Sequence, residues 1–140
     1  MGGAQMRITA DTNLLVRIAT RDNEAQARQA FAIVSSAEKV VIPLPCALEL
    51  AWVLDSVYHF SRTEIADALA TLGRMENASI DAVAIDTGLR VHEAGGDFAD
   101  GVIAAAGAAM GGETFVSFDR KAVSQVREIG ISAELATSLI

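Results

Sequence analysis

The sequence predicts an α/β fold built on a mainly parallel sheet covered on both faces. Three observations carry this. Short β-branched runs alternate with amphipathic helical patterns from one end of the chain to the other. The clearest of those runs, at Met6 to Ala10, Lys39 to Ile42 and Glu113 to Phe118, are each followed directly by a helix start, which is the order of parallel strands joined by helices. With 140 residues of which 51% are hydrophobic, the chain can bury one good core, so a single domain over 1–140 is expected, with 1–6 as a flexible N-terminus.

The elements follow in order. Met6 to Ala10 reads as a buried strand ending at Asp11, after which Leu14, Leu15 and Ile18 recur at helical spacing with Thr12 and Asn13 as caps. Asp22 to Ala37 is an amphipathic helix with Ala27, Ala30, Phe31 and Val34 on its inner face. Lys39 to Ile42 is the second strand, closed by Pro43 and Pro45. Pro45 suits the first turn of the next helix, where a missing N–H costs nothing. That helix is expected from about Cys46 to Tyr58. Its first turns are apolar nearly all round apart from Glu49, the pattern of a buried element.

Ser61-Arg62-Thr63-Glu64 is a capping box that opens a helix carrying Ile65, Ala68, Leu69 and Leu72 inward and stopping between Gly73 and Asn77. The two helices are expected to form a hairpin. Ser79 to Val83 is a short strand candidate and Ile85 to Ala94 a helix. Gly95-Gly96 is a break before Asp97 opens an alanine-rich helix to about Met110. Glu113 to Phe118 alternates as a strand ended by Asp119, Arg120 to Arg127 is a short helix, and Ile131 to Leu135 is a weak last strand.

Composition excludes several function classes. One cysteine, Cys46, leaves no internal disulfide framework and no thiolate zinc cluster, and it is expected to pack as a small apolar residue. His59 and His92 form no helical His-x-x-x-His pair and read as ordinary surface or partly packed residues. No apolar run reaches the roughly 18 to 20 residues that a membrane span requires, and the N-terminus lacks the pattern of a secretory signal, so a cytoplasmic location is expected. A net charge of −7 argues against a protein that holds nucleic acid mainly by a basic surface. It leaves a nuclease open, because acids that converge on a cation do not present their full charge to a phosphate.

Four acids stand alone among apolar or small residues: Asp11, Glu49, Asp100 and Asp119. A buried carboxylate is expensive unless a proton, a cation or a metal satisfies it. Each also has a structural reading. Asp11 suits a helix N-cap, with Asn13 competing, and Glu49 suits a surface position. Asp97 suits an N-cap with Asp100 in the third helical position, and Asp119 suits a cap or an ion pair with Arg120 or Lys121. One shared divalent site accounts for all four together. Oxygen-only donors select hard cations such as Mg²⁺ and Mn²⁺, and those point toward phosphate esters. Asp11 and Asp119 both fall beyond the carboxyl end of a strand, where parallel sheets bind ligands.

The segments Ala-Asp11-Thr12-Asn13-Leu-Leu-Val-Arg17, Ala-Leu-Glu49-Leu-Ala-Trp-Val-Leu, Asp97-Phe-Ala-Asp100-Gly-Val-Ile-Ala-Ala and Phe-Val-Ser117-Phe-Asp119-Arg120-Lys121 together resemble the PIN domain, in particular the VapC-type ribonuclease toxins. The resemblance spans nearly the whole chain. It implies a three-layer α/β/α fold and a Mg²⁺-dependent endoribonuclease, with Mn²⁺ as a substitute. It also implies a homodimer and a small VapB-like antitoxin as partner. Asp11, Glu49, Asp100 and Asp119 fall on the family's acidic metal positions, with Asp97 at their rim. Thr12, Asn13 and Ser117 fall where small polar residues steady the carboxylates. Gly101 departs from the family, which more often carries alanine or another helix former there. Arg17, Arg21, Arg120 and Lys121 are candidate RNA phosphate contacts, each with a solvated surface charge as its other reading.

Two rival classes remain. One is a non-catalytic PIN-like module that binds RNA or protein. The other is a phosphoryl-accepting receiver or an aspartate-nucleophile phosphatase. The phosphatase expects Asp-x-Asp where this chain has Asp11-Thr12-Asn13, and the receiver expects paired acids after the first strand.

Overall fold

A computed structural model describes residues 6–139, so the N-terminal segment expected to be flexible lies, apart from Met6, outside the described residues. The chain divides after Asp81 into two compact units. In the first, the run around Ile8 forms β1 (Arg7–Thr9), followed by α1 (Thr12–Thr20), α2 (Glu24–Ser36), β2 (Lys39–Val41), α3 (Leu44–Ser56), α4 (Arg62–Arg74) and β3 (Ala78–Ser79). β2 lies between β1 and β3 and pairs in parallel with both, with Ile8 opposite Val40 and Val41 opposite Ser79. Parallel neighbours need long crossovers, and the two helix pairs supply them.

The core of this unit is built from Ala10, Leu15, Val40, Ile42, Leu50, Leu54 and Leu69, all at most 2% exposed. Asn77 ties the start of β3 to the end of α2, its Nδ2 donating to the carbonyls of Val34 (2.8 Å) and Ala37 (3.1 Å). Backbone bonds from Val40 to Asn77 and from Ile42 to Ser79 hold the strand at this position. The expected strand from Ser79 to Val83 is thus shifted toward the N-terminus, and the helix that follows begins at Ala82 rather than Ile85.

Two expectations about burial are corrected. In α2 the buried residues are Ala27, Ala30 and Val34, a narrow stripe that leaves Phe31 59% exposed. In α3 only Ala47, Leu50 and Leu54 are buried, while Trp52 is 63% exposed and Glu49 faces solvent. α3 packs on α1 and α4 along that one stripe. An apolar sequence all round the helix therefore does not make it a buried element here.

The capping box forms as expected. Ser61 Oγ accepts from the Glu64 N–H (3.1 Å), and Glu64 Oε1 accepts from the Ser61 N–H (2.8 Å). Ser61→Ala removes one of these bonds and is expected to cost about 1 kcal/mol, which thermal denaturation would read as a fall of roughly 3 °C.

The second unit holds α5 (Ala82–Glu93), α6 (Phe98–Ala109), β4 (Phe115–Ser117), α7 (Arg120–Glu128), β5 (Ala133–Leu135) and a 3₁₀ turn at Ala136–Ser138. β4 and β5 are parallel, with Phe115 opposite Ala133 and Ser117 opposite Leu135. α7 is their crossover. Its Val123 and Val126 pack with Ala104, Ala133, Phe115, Ile131 and Leu135. The Gly95-Gly96 break ends α5: Gly95 takes φ +93°, and the Gly96 N–H returns to the Val91 carbonyl at 2.8 Å. α5 and α6 approach at glycines. A Cβ on Gly101 would lie 2.7 Å from Gly88 Cα and from the Thr87 carbonyl oxygen.

Among the described residues every ladder is parallel and helices carry every crossover, in a three-stranded sheet in the first unit and a two-stranded one in the second, so the fold class is α/β with parallel strands, as expected. Among the described residues, no helix is long and apolar enough to cross a membrane.

Candidate functional site

In the first unit, the chain leaves β1 at Thr9, and two residues later Asp11 caps α1. Its Oδ1 accepts from the Thr12 N–H at 2.8 Å. Asp11 is therefore the cap, rather than Thr12 or Asn13. Thr12 is buried and Asn13 exposed. The start of α3 is fastened beside this turn by Cys46, whose Sγ lies 3.3 Å from the carbonyl oxygen of Ala10. Cys46, expected to pack only as a small apolar residue, is therefore also a hydrogen-bond donor. Glu49 lies one turn along α3 from Cys46 and is exposed. The Glu49 carboxylate has no hydrogen bond or ion pair among the described residues.

The second unit repeats the local plan. The chain leaves β4 at Ser117, and two residues later Asp119 caps α7, its Oδ1 accepting from the N–H groups of Lys121 (2.9 Å) and Ala122 (3.2 Å). Ser117 Oγ accepts from the Asp119 N–H at 3.0 Å, so it steadies the turn. Asp97 caps α6 through a bond from the Ala99 N–H at 2.9 Å. Asp100 then occupies the first turn of α6, with its own N–H donating to the Asp97 carbonyl.

Asp100 is the one candidate acid that is partly buried; Asp11, Glu49 and Asp119 are exposed, against the expectation that isolation among apolar residues meant burial. The reason is local. Three of the four sit at a helix start, where Asp11 and Asp119 are the exposed N-caps and Asp100 lies within the first turn of α6. Burial is the main influence pushing the Asp100 carboxyl above the usual carboxylate range, followed by repulsion from Asp97 and then from Asp119. Asp97 and Asp119 thus both lie within electrostatic reach of Asp100.

A group with a raised folded-state pKa contributes stability that is complete below its unfolded pKa and is lost as pH rises through its folded pKa. Metal-free protein therefore loses the Asp100 contribution on going up from the ordinary carboxylate range. Asp97→Asn is expected to lower the Asp100 titration midpoint, and Asp119→Asn to lower it less. Carboxyl ¹³C NMR titration would read both, and an unmoved midpoint in both variants would refute the repulsion.

Oxygen donors alone, crowded enough that one resists ionisation, are the donor chemistry a hard divalent cation satisfies. Among the described residues, no group of three or more His, Cys, Asp or Glu side chains is arranged to hold a metal ion. The caps explain part of this, since the Oδ1 atoms of Asp11, Asp97 and Asp119 are each turned onto backbone N–H groups. A carboxylate so engaged keeps its second oxygen for another partner.

The candidate phosphate contacts divide. Arg17 bonds Gln26 (2.7 Å) and Asp22 (3.2 Å), and Arg21 holds Glu24 with two bonds, so both are engaged within the surface of their own unit. Arg120 and Lys121 are exposed on the first turn of α7, with no ion pair among the described residues. The sequence reading placed Phe118 in the strand. It lies beyond β4, 80% exposed, between Ser117 and Asp119.

The model of one protein family, described as PIN domain, matches residues 8–129. Searches of curated proteins and of solved structures returned no significant match.

Proposed function

The chain belongs to the PIN domain family, a nuclease-type fold, and from that membership we propose that it is a metal-dependent endoribonuclease and the toxin of a toxin–antitoxin pair. The observation that carries the catalytic part is Asp100: a partly buried carboxylate, with no side-chain hydrogen bond among the described residues, whose ionisation burial, Asp97 and Asp119 all oppose. The toxin part rests on the resemblance of the four acidic segments to VapC-type chains. With it come a homodimer, a small VapB-like antitoxin, a cytoplasmic location and action of the whole chain as one domain.

In this reading the acids would hold one or two Mg²⁺ or Mn²⁺ ions, with Asp11 and Asp100 as principal ligands, Glu49 as a ligand or an orienter of the bound water, and Asp119 as a weaker or second-metal ligand. When bound, the cation supplies the positive charge that offsets the phosphate and activates water for in-line attack on the RNA phosphodiester. Thr12, Asn13 and Ser117 hold the carboxylates in place, as Ser117 does through the Asp119 N–H. Arg120 and Lys121 meet the phosphate flank. Of the four candidate cations these two are free of ion pairs among the described residues.

A second reading, a PIN-like module that binds RNA or protein without turnover, is favoured by the caps, which already give Asp11 and Asp119 a structural task. Two measurements separate them. Cleavage of total cellular RNA in Mg²⁺ or Mn²⁺ by the wild type, absent in Asp11→Asn and Asp100→Ala, supports the enzyme. Calorimetry that detects no divalent binding, together with uncut RNA, supports the module.

A further inference from the structure

We propose that Phe118 and the outer groove of α7 form a subsite for single-stranded RNA beside Asp119, in which Phe118 stacks on a nucleobase and Arg120, Ser124 and Arg127 hold the backbone. This rests on the ribonuclease reading above and names how that site takes its substrate.

Phe118 is 80% exposed, yet its turn is tightly held. Ser117 Oγ accepts from the Asp119 N–H at 3.0 Å, and Asp119 Oδ1 accepts from Lys121 and Ala122. A flat apolar ring exposed to water on a held turn, directly beside a candidate catalytic acid, has the form of a base-stacking platform, which tolerates any base because every base has a π-face. An exposed ring can take only a base that is already unstacked, so a single strand fits and a duplex does not.

The charge pattern agrees. In the unit from Ala82 onward the Lys and Arg residues are Arg90, Arg120, Lys121 and Arg127, and all but Arg90 lie on α7, in a chain whose net charge is −7. Arg120, Ser124 and Arg127 follow one another at helical spacing along one face. With Val123, Glu128 and Leu135 they line a groove of about 380 Å³. Arg120 has no ion pair among the described residues. Arg127 is held in place by the Ala133 carbonyl (2.8 Å) and Glu134 (3.2 Å), an exposed pair that a phosphate can displace. Val123 and Leu135 give the groove an apolar floor for sugar or base. Glu128 disfavours phosphate at the C-terminal end of α7, which leaves Arg120 and Arg127 as the groove's phosphate-holding side chains.

The test uses a single-stranded RNA dodecamer containing 2-aminopurine, bound in Mg²⁺ by the full chain carrying Asp11→Asn to prevent cleavage. Binding is expected to quench the fluorophore. Adding Phe118→Ala is expected to abolish the quenching and weaken binding about 5- to 100-fold, with Phe118→Trp restoring both. Arg120→Ala and Arg127→Ala are each expected to reduce the slope of log Kd against log salt by about 0.7. In the otherwise wild-type enzyme, Phe118→Ala is expected to raise KM with kcat little changed. Equal affinity of the Phe118→Ala protein, or equal binding of duplex RNA, overturns the subsite while leaving the ribonuclease reading intact. A change in mass by light scattering with RNA affinity unchanged also overturns it and makes Phe118 a protein contact. No RNA binding by the Asp11→Asn parent and no cleavage by the wild type overturns both.

Discussion

Asp100→Asn is expected to abolish Mg²⁺-dependent RNA cleavage, lowering kcat/KM by at least about 10³-fold, while raising the melting temperature of the metal-free protein. The two effects have one cause. Burial and the charges of Asp97 and Asp119 all disfavour the ionised Asp100, so in the absence of a cation its charge works against the folded state. An amide of the same shape removes that charge. It equally removes the anionic oxygen that a hard cation needs. Melting curves in EDTA and cleavage assays in Mg²⁺ on the same preparation read both effects. A variant that is inactive and also less stable would mean that Asp100 supports the fold, and the catalytic assignment would then lose its carrying observation. Added Mg²⁺ should raise the melting temperature of the wild type and leave that of Asp100→Asn unchanged, because a ligand stabilises only the state that binds it.

The parts of this fold that were legible in the sequence are those settled by contacts between close neighbours in the chain. The Ser61 box, the Gly95-Gly96 break and the strand–Asp–helix turns at Asp11 and Asp119 each depend on a few adjacent residues, and each forms where the sequence places it. Burial depends on what arrives from elsewhere. Phe31 and Trp52 lie on apolar faces wider than the stripe their neighbours cover, so periodicity alone could not tell the covered part from the rest. The candidate acids show the same division. That Asp97 caps and Asp100 follows in the first turn could be read from spacing, whereas the exposure of Asp11, Glu49 and Asp119 could not. Phe118 was hidden for a related reason: an apolar residue after an alternating run reads as one more strand position until the ladder is seen to end at Ser117.

Gly101→Ala is expected to destabilise the protein by roughly 1 to 2 kcal/mol, although alanine is the better helix former. The gain in helix propensity is about 1 kcal/mol, but overpacking of a close contact costs about 1 to 3 kcal/mol, and here the larger figure applies. The added Cβ would lie 2.7 Å from Gly88 Cα and 2.7 Å from the Thr87 carbonyl oxygen, which are backbone atoms and cannot turn aside as a side chain can. α6 must therefore move off α5, and Asp100, the residue before Gly101, moves with it. Cleavage is expected to fall with stability. Gly107, on the same helix, supplies the opposite sign: a Cβ there meets nothing within 4 Å, so Gly107→Ala is expected to stabilise by about 0.5 to 1 kcal/mol with activity unchanged. Denaturant titration of the two variants separates the explanations. If both stabilise, the α5–α6 approach is looser than these distances. If Gly101→Ala alone destabilises, that glycine is what lets α6 lie so closely against α5.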